Sequence, residues 1–339
     1  MRALSHTARD GWADGPDVVV AADRSRTDGG FSWVEVELPH EDPERVREVA
    51  ERFDLDPLAV EDALNPRQRP KLETYESHRF VVLDQLDEED DQLEARQIAC
   101  FAGPRFLLIL HNGAGRLVGD GRKRLQQVEP DDLDVDRALH ALVDAVVDDH
   151  QRIADRLEID VEDLEAQALR VSRRSVSNAA RNAEDLPSQP MLYAIKQQVS
   201  MLRRYALPLN GVLEALQAGA EAELDADGDG DDRTDLLFRD VHDHVLRIGG
   251  QIRNVDDLAT AVIDLTRSVQ ADMLNEVNKK LSAWAAIIAI PTLIASVYGT
   301  NYKLWPDPDI GSRGFVGVVL IMFGAGAALW LFFKRKRWI

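Results

Sequence analysis

The 339-residue chain has a single cysteine, Cys100, so no intrachain disulfide can form, which suits a reducing compartment. It also lacks an excess of positive charge. Sixty Asp and Glu stand against 40 Lys and Arg, for a formal net charge of −20. That balance argues against a nucleic-acid surface and favours cations as partners, although plain solubility or adaptation to salt produces the same total. The first thirty residues mix Arg, Asp and Gly and contain no apolar h-region, so they do not read as a signal peptide. Phosphate loop, His-Glu-x-x-His and nucleophile elbow are all missing, and no acid pair stands out among the carboxylates, so nothing points to an enzyme.

The most informative absence is local. No Asp, Glu, Lys or Arg occurs from Leu281 to Tyr302, and none from Gly314 to Phe333. A bilayer core is crossed by a helix of about 20 apolar residues, and both runs reach that length. Lys279 and Lys280 precede the first run, and Lys334, Arg335, Lys336 and Arg337 follow the second. Between the runs, Lys303 and Arg313 are balanced by Asp307 and Asp309. The bias of basic residues predicts a multi-pass protein of the inner or plasma membrane with both termini cytoplasmic and a short external loop. Trp305 and Trp338 suit interfacial anchors.

The remainder is mostly soluble in character. Residues 1–30 read as a flexible segment. Residues 31–130 read as a cytoplasmic α/β domain: "FSWVEVEL" alternates like a half-buried strand, "DPERVREVAERF" reads as a helix capped by Asp42, and "RFVVLDQL", "ARQIACFA" and "RFLLILH" are further strands. Residues 131–234 read as a pair of long helices, the second interrupted at Pro208, with an acidic loop. That loop, Asp225 to Asp235, resembles a calcium loop, but its twelfth position is Leu236 rather than Glu, so a solvated loop is the better reading. Residues 235–299 read as a stalk helix running into the first transmembrane helix, 300–313 as the external loop, 314–333 as the second span, and 334–339 as a basic tail. Val241, Val245, Ile248, Ile252, Val255, Val262, Val269 and Met273 repeat at coiled-coil spacing. A seam of that length predicts a homo-oligomer with these helices around its axis.

Along the helix that enters and crosses the membrane, Asn275, Asn278, Ser282, Ala285, Ala289, Thr292 and Ser296 recur every three or four residues and fall on one stripe. Small and polar residues there either pack helices tightly or line a pore. The stripe leads to Gly299, Thr300 and Asn301. The last four carbonyls of a helix lack helical partners, glycine permits close approach to an axis, and an asparagine presents an amide oxygen. Repeated around an axis, these groups form a ring of uncharged oxygens suited to a hard cation that keeps its waters, as magnesium does. An ordinary helix C-cap also uses Gly and Asn.

"YGTN", Tyr298 to Asn301, resembles the Tyr-Gly-Met-Asn signature of the CorA-type magnesium transporters. "VEDALNPRQRPKLE" (Val60 to Glu73), "LFRDVHDHV" (Leu237 to Val245), "PTLIASVYG" and the tail "KRKRWI" are similar to further stretches of that family. The resemblance implies an α+β membrane protein assembled as a homopentamer in the lipid bilayer, each protomer supplying a cytoplasmic domain, a stalk helix and two spans. It implies that Gly299 and Asn301 form the outer selectivity site, with Thr300 between them. Thr292 and Asn275 become polar pore rings, and Leu281 a hydrophobic inner gate. Asp240 becomes one arm of a regulatory Mg2+ site between protomers, with Asp87 or Asp90 as the other. Thr300 replaces the signature Met, Lys303 replaces a usual acid, and Ala289 replaces a larger residue. These departures bear on which ion passes: transported Mg2+ first, with Co2+, Ni2+ or Zn2+ as alternatives. The stripe has no His or Cys, which favours magnesium. His242 and His244 are either ligands for a softer metal or polar surface residues. A non-conducting membrane-anchored regulator is the reading of another class.

Overall fold

The computed structural model describes residues 1–7, 11–15, 30–38, 43–65, 68–89, 92–129, 132–173, 185–227, 232–299, 312–336 and 338. Its chain packs as two units, one comprising 1–162 and 189–260, the other 163–188 and 261–339.

The first unit is built on a seven-stranded sheet. Its strands are β1 (Arg2–Thr7), β2 (Gly11–Gly15), β3 (Phe31–Glu37), β4 (Lys71–Thr74), β5 (Arg79–Glu89), β6 (Gln92–Gly103) and β7 (Phe106–His111), in spatial order β2-β1-β3-β7-β6-β5-β4. All neighbours are antiparallel except β3 and β7, which run parallel with Trp33 opposite Leu107 and Glu37 opposite His111. The expectation of a loose N-terminus is corrected here. Residues 2–7 pair with β3, and 11–15 pair with β1, so both are integral strands. The reading of β3 as half-buried is corrected too, because Phe31, Ser32, Trp33, Val34 and Val36 are all buried.

Helices on both faces explain that burial. Helix α1 (Pro43–Arg52) and helix α2 (Pro57–Leu64) cover one face, where Val46, Val49, Phe53, Ala59, Val60 and Ala63 join Val34, Phe80, Phe101 and Leu108 in one core. Helix α1 begins at Pro43, and its expected cap Asp42 lies outside the described residues. Asp56 caps α2 by accepting from the Leu58 amide at 2.8 Å. On the other face lie α3 (Gly115–Leu125) and the first part of α4 (Val135–Ser172). The Leu117 amide donates to Gln85 there, and Gly121 sits so close to Leu142 that a Cβ would meet its Cα at 3.1 Å. The segment Val60 to Glu73 that resembles a family motif is a clasp between α2 and β4. Lys71 bridges Asp62 at 2.5 Å and Glu73 at 2.8 Å, while Gln68 donates to Asp62 at 3.1 Å.

Helices α5 (Gln189–Ala206) and α6 (Leu209–Asp227) break at Leu207-Pro208, where proline cannot continue the hydrogen-bond ladder. Asp225 and Asp227 lie in the last turn of α6, and Asp229 and Gly230 of the acidic stretch lie outside the described residues. Helix α7 runs from Asp232 to Tyr298, 67 residues, and contributes to both units. In the first, Val241, Val245, Ile248, Ile252 and Val255 are buried, with Ile252 and Val255 beside Ala154, Leu157, Val199 and Leu202. In the second, Val269 and Met273 pack with Val171 and Leu186. The predicted inter-chain seam is therefore covered within the chain, by α4 and α5, and the seam alone does not require a second copy. Helix α8 (Ser312–Arg335) completes the second unit.

Candidate pore helix and acidic sites

The C-terminal part of α7 has two contrasting faces. Ala283 is fully buried, and Ile287, Ile290, Pro291 and Ile294 are partly covered. Pro291 meets α8, its Cγ lying 3.6 Å from where a Cβ at Gly326 would stand. Asn275, Asn278, Leu281, Ser282, Ala285, Ala289, Thr292 and Ser296 are all exposed, as are the larger apolar Leu274, Trp284, Ile288, Leu293 and Val297 beside them. At about 100° per residue, the centres of these two sets lie roughly half a turn apart. The small and polar stripe thus points away from the chain's own second apolar helix. Pro291 withdraws one backbone donor from the helix, and the Thr292 hydroxyl donates to the Ile288 carbonyl at 2.8 Å, leaving its oxygen lone pairs for the exposed side.

The Gly299 amide closes the helix by bonding the Ala295 carbonyl at 2.9 Å and the Ser296 carbonyl at 3.1 Å. A Cβ at Gly299 would lie 3.3 Å and 3.4 Å from those same oxygens, so the turn is tight against any larger residue. Thr300, Asn301, Asp307 and Asp309 lie outside the described residues, as does Asp90.

The acids expected from the resemblance to hold a regulatory metal differ in their surroundings. Asp240 is exposed on α7, and no hydrogen bond or ion pair reaches it from the described residues, although its charge acts on His140. Asp87 is 27% exposed near the end of β5 and already engaged: Arg96 Nε lies 3.2 Å from one carboxylate oxygen, Arg116 lies 3.8 Å from the other, and Gln85 donates to it. Glu88 faces Arg156 at 3.5 Å. The two candidate histidines part ways. His242 Nε2 meets the Asn210 amide oxygen at 2.6 Å, whereas His244 joins Asp144 and Asp148, all three ligand atoms lying within 4.8 Å of one another. Sequence reading missed this trio because α4 and α7 lie far apart along the chain. Arg124 already bridges both of its carboxylates.

Comparison with known proteins settles the family. Residues 28–335 match the family of CorA-like Mg2+ transporter proteins. The chain belongs to this family. The cobalt/magnesium transport protein CorA of Thermotoga maritima is 27% identical over 313 residues, covering 91% of this chain and 83% of that protein. The complete structure of the CorA magnesium transporter of Methanocaldococcus jannaschii superposes with a TM-score of 0.77 at 16% identity, over 100% of this chain and 99% of that one. The full-length CmaX protein gives 0.71 at 16% identity, over 100% and 98%. The CorA-like fold, with its α/β domain, long helices and two apolar C-terminal helices, is thereby established. A transporter family with two such helices places the chain in a membrane.

One polar group in the core of the α/β domain went unseen in the sequence. Asp84 on β5 is 2% exposed, and its Oδ2 has no hydrogen-bond partner among the described residues. Burial raises its pKa to about 7, opposed by the nearby Arg204 charge. His150 on α4 is fully buried, with Nε2–H donating to the Asp84 carbonyl at 3.1 Å; burial lowers its pKa to about 4, against the pull of Asp149. Asp149 is held by Arg116 at 2.9 Å and Arg152 at 2.7 Å. Cys100 is buried on β6, and burial pushes its thiol up, away from reactivity.

The signs of these two shifts oppose. Asp84 holds its proton more tightly folded than unfolded, so stability falls as pH rises from about 4 to about 7. His150 holds its proton less tightly folded, so its share of stability is present above 6.5 and lost as pH falls toward about 4. Asp84→Asn is therefore expected to raise thermal stability at pH 8 and leave it unchanged at pH 4, read from melting curves of the purified protein across that range. Equal shifts at both pH values would refute the buried-acid assignment.

Proposed function

We propose that the protein is a homopentameric, channel-like transporter of hydrated magnesium, driven by the membrane potential and closed when intracellular magnesium binds between protomers. The observation that carries this reading is the exposed stripe on α7, set half a turn from the face that meets α8. A helix that turns amides, hydroxyls and small residues away from its own partner suits a pore built from several copies. In this arrangement α7 lines the axis and α8 faces lipid. Asn275 and Thr292 form polar rings, Ser282, Ala285, Ala289 and Ser296 keep the bore narrow-walled and uncharged, and Leu281 closes it by dewetting. Gly299, Thr300 and Asn301 form the outer oxygen ring, with Asp307 and Asp309 in the loop beyond. Both termini face the cytoplasm.

Self-association is favoured by the exposed stripe rather than by the stalk seam. Magnesium is favoured because the stripe offers oxygens and neither imidazole nor thiolate. The Thermotoga maritima relative is named for cobalt as well as magnesium, so metal choice needs direct measurement.

Flux into proteoliposomes tests the reading. With purified protein and an internal magnesium-sensitive dye, magnesium uptake is expected at low internal magnesium, and it should exceed uptake of cobalt, nickel and zinc. Uptake of zinc alone would reassign the cargo. No flux of any ion from an assembled oligomer would make the protein a regulator.

A further inference from the structure

We propose that the basic end of the α7–α8 hairpin is a binding site for the headgroup phosphates of anionic phospholipids. The inference rests on the membrane placement of the two helices and not on conduction. Although the chain carries a net charge of −20, no Asp or Glu follows Asp309. The last stretch instead gathers Lys334, Arg335, Lys336 and Arg337. Lys334, Arg335 and Lys336 are exposed, and no carboxylate is ion-paired to them among the described residues. On α7, Lys279 pairs with Glu276 at 2.9 Å, whereas no ion pair to its neighbour Lys280 is found among the described residues.

The two sets of cations lie at one level. The twelve residues between Gly299 and Ser312, 300–311, include Lys303, Asp307 and Asp309, charges that do not recross a hydrocarbon layer, so the helices are antiparallel. Pro291 abuts Gly326. Lys280 is eleven residues before Pro291 and Lys336 ten after Gly326. At 1.5 Å per residue both stand about 15–17 Å from that contact, near one edge of a hydrocarbon layer about 30 Å thick.

The tail is also held in place. Lys334 Nζ lies 4.4 Å over the Trp330 ring. Trp338 stacks on Phe333 with centroids 5.5 Å apart, and its amide donates to the Phe333 carbonyl at 2.9 Å. The Lys336 amide bonds the Phe332 carbonyl at 3.0 Å. Trp338 is thus held against the helix end. That keeps Lys334, Arg335 and Lys336, which have no ion pair among the described residues, beside two indoles, the side chains best suited to the headgroup layer. A phosphodiester anion fixed in that layer meets these donors at the right depth, and the membrane presents it at high local concentration.

The test uses the full-length protein in phosphatidylcholine bilayers containing trace spin-labelled phosphatidylglycerol or phosphatidylcholine. The motionally restricted fraction of each label gives the lipid preference. The native protein is expected to prefer phosphatidylglycerol by about fivefold or more, the ratio that about 1 kcal/mol of headgroup attraction shared among these cations produces. Lys334→Gln/Arg335→Gln/Lys336→Gln is expected to bring the ratio near one. If that variant fails to assemble, Lys336→Gln and Lys280→Gln singly are each expected to lower the ratio about twofold. Equal restriction of both labels by the native protein overturns the proposal, as does a preference that survives the folded triple variant. Loss of the preference on adding millimolar glycerol 3-phosphate overturns it as well, since the site would then serve a soluble phosphate.

Discussion

Asn301→Ala is expected to lower magnesium uptake into proteoliposomes by more than tenfold, with oligomer assembly intact. The proposed pore stripe carries no full charge from Leu281 to Tyr302, so a cation's hydration shell at the outer end is held by uncharged oxygens alone: backbone carbonyls, the hydroxyls of Ser296 and Thr300, and the Asn301 amide. An uncharged hydrogen bond is worth about 1 kcal/mol. In the proposed pentamer five are lost together, so even a fraction of that sum exceeds the 1.4 kcal/mol that makes a factor of ten. The tight turn at Gly299, where a Cβ would press on two carbonyl oxygens, makes Gly299→Ala a second route to the same loss. Thr300→Met separates two roles for that position. Unchanged selectivity means that the side chain points away from the axis, whereas an altered ratio of cobalt to magnesium uptake means that it shapes the ring. Full magnesium uptake by Asn301→Ala would remove the oxygen ring from the mechanism.

Much of this architecture was legible because period and charge report on solvent. The uncharged runs gave both apolar helices, and the apolar stripe of residues 241–273 gave a single long helix. That stripe did not reveal its partner. A three-four repeat states that a face is covered, and α4 and α5 cover it here, so the repeat by itself does not report on a second copy. The N-terminal strands escaped because "RALSHT" carries few large apolar residues. Its burial comes from pairing with β2 and β3, which no local pattern encodes. Buried polar residues were equally silent. Asp84, Asp149 and His150 read as surface letters, and only the register of β5 and the packing of α4 put them in the core. The same register decides the state of Asp87. Its arginine partners lie 9 and 29 positions along the chain, at Arg96 and Arg116, and sequence spacing alone cannot pair them.

Asp240→Ala is expected to raise the internal magnesium concentration needed for half-inhibition by about tenfold or more, while leaving uptake at low internal magnesium unchanged. A metal that binds only the closed assembly shifts the population toward it by its binding free energy, and the shift vanishes when the binding arm is removed. Asp240 is the arm to remove because it is exposed and no hydrogen bond or ion pair ties it to the described residues, so its loss disturbs no existing contact. Asp87, the proposed opposite arm, begins from a different state. Its carboxylate is shared by Arg96 and Arg116, and an incoming cation must displace at least one guanidinium. Arg96→Gln is therefore expected to act in the opposite direction, lowering the half-inhibitory concentration by freeing the carboxylate for metal. Arg96 also pairs with Glu89, so the variant's melting temperature is measured alongside to confirm the fold. Opposed shifts from Asp240→Ala and Arg96→Gln are hard to obtain from general destabilisation, which would move both the same way. An unchanged response to internal magnesium in Asp240→Ala would dismiss Asp240 as a sensor. An unchanged response in Arg96→Gln alone would move the opposite arm to another acid of the β5–β6 hairpin.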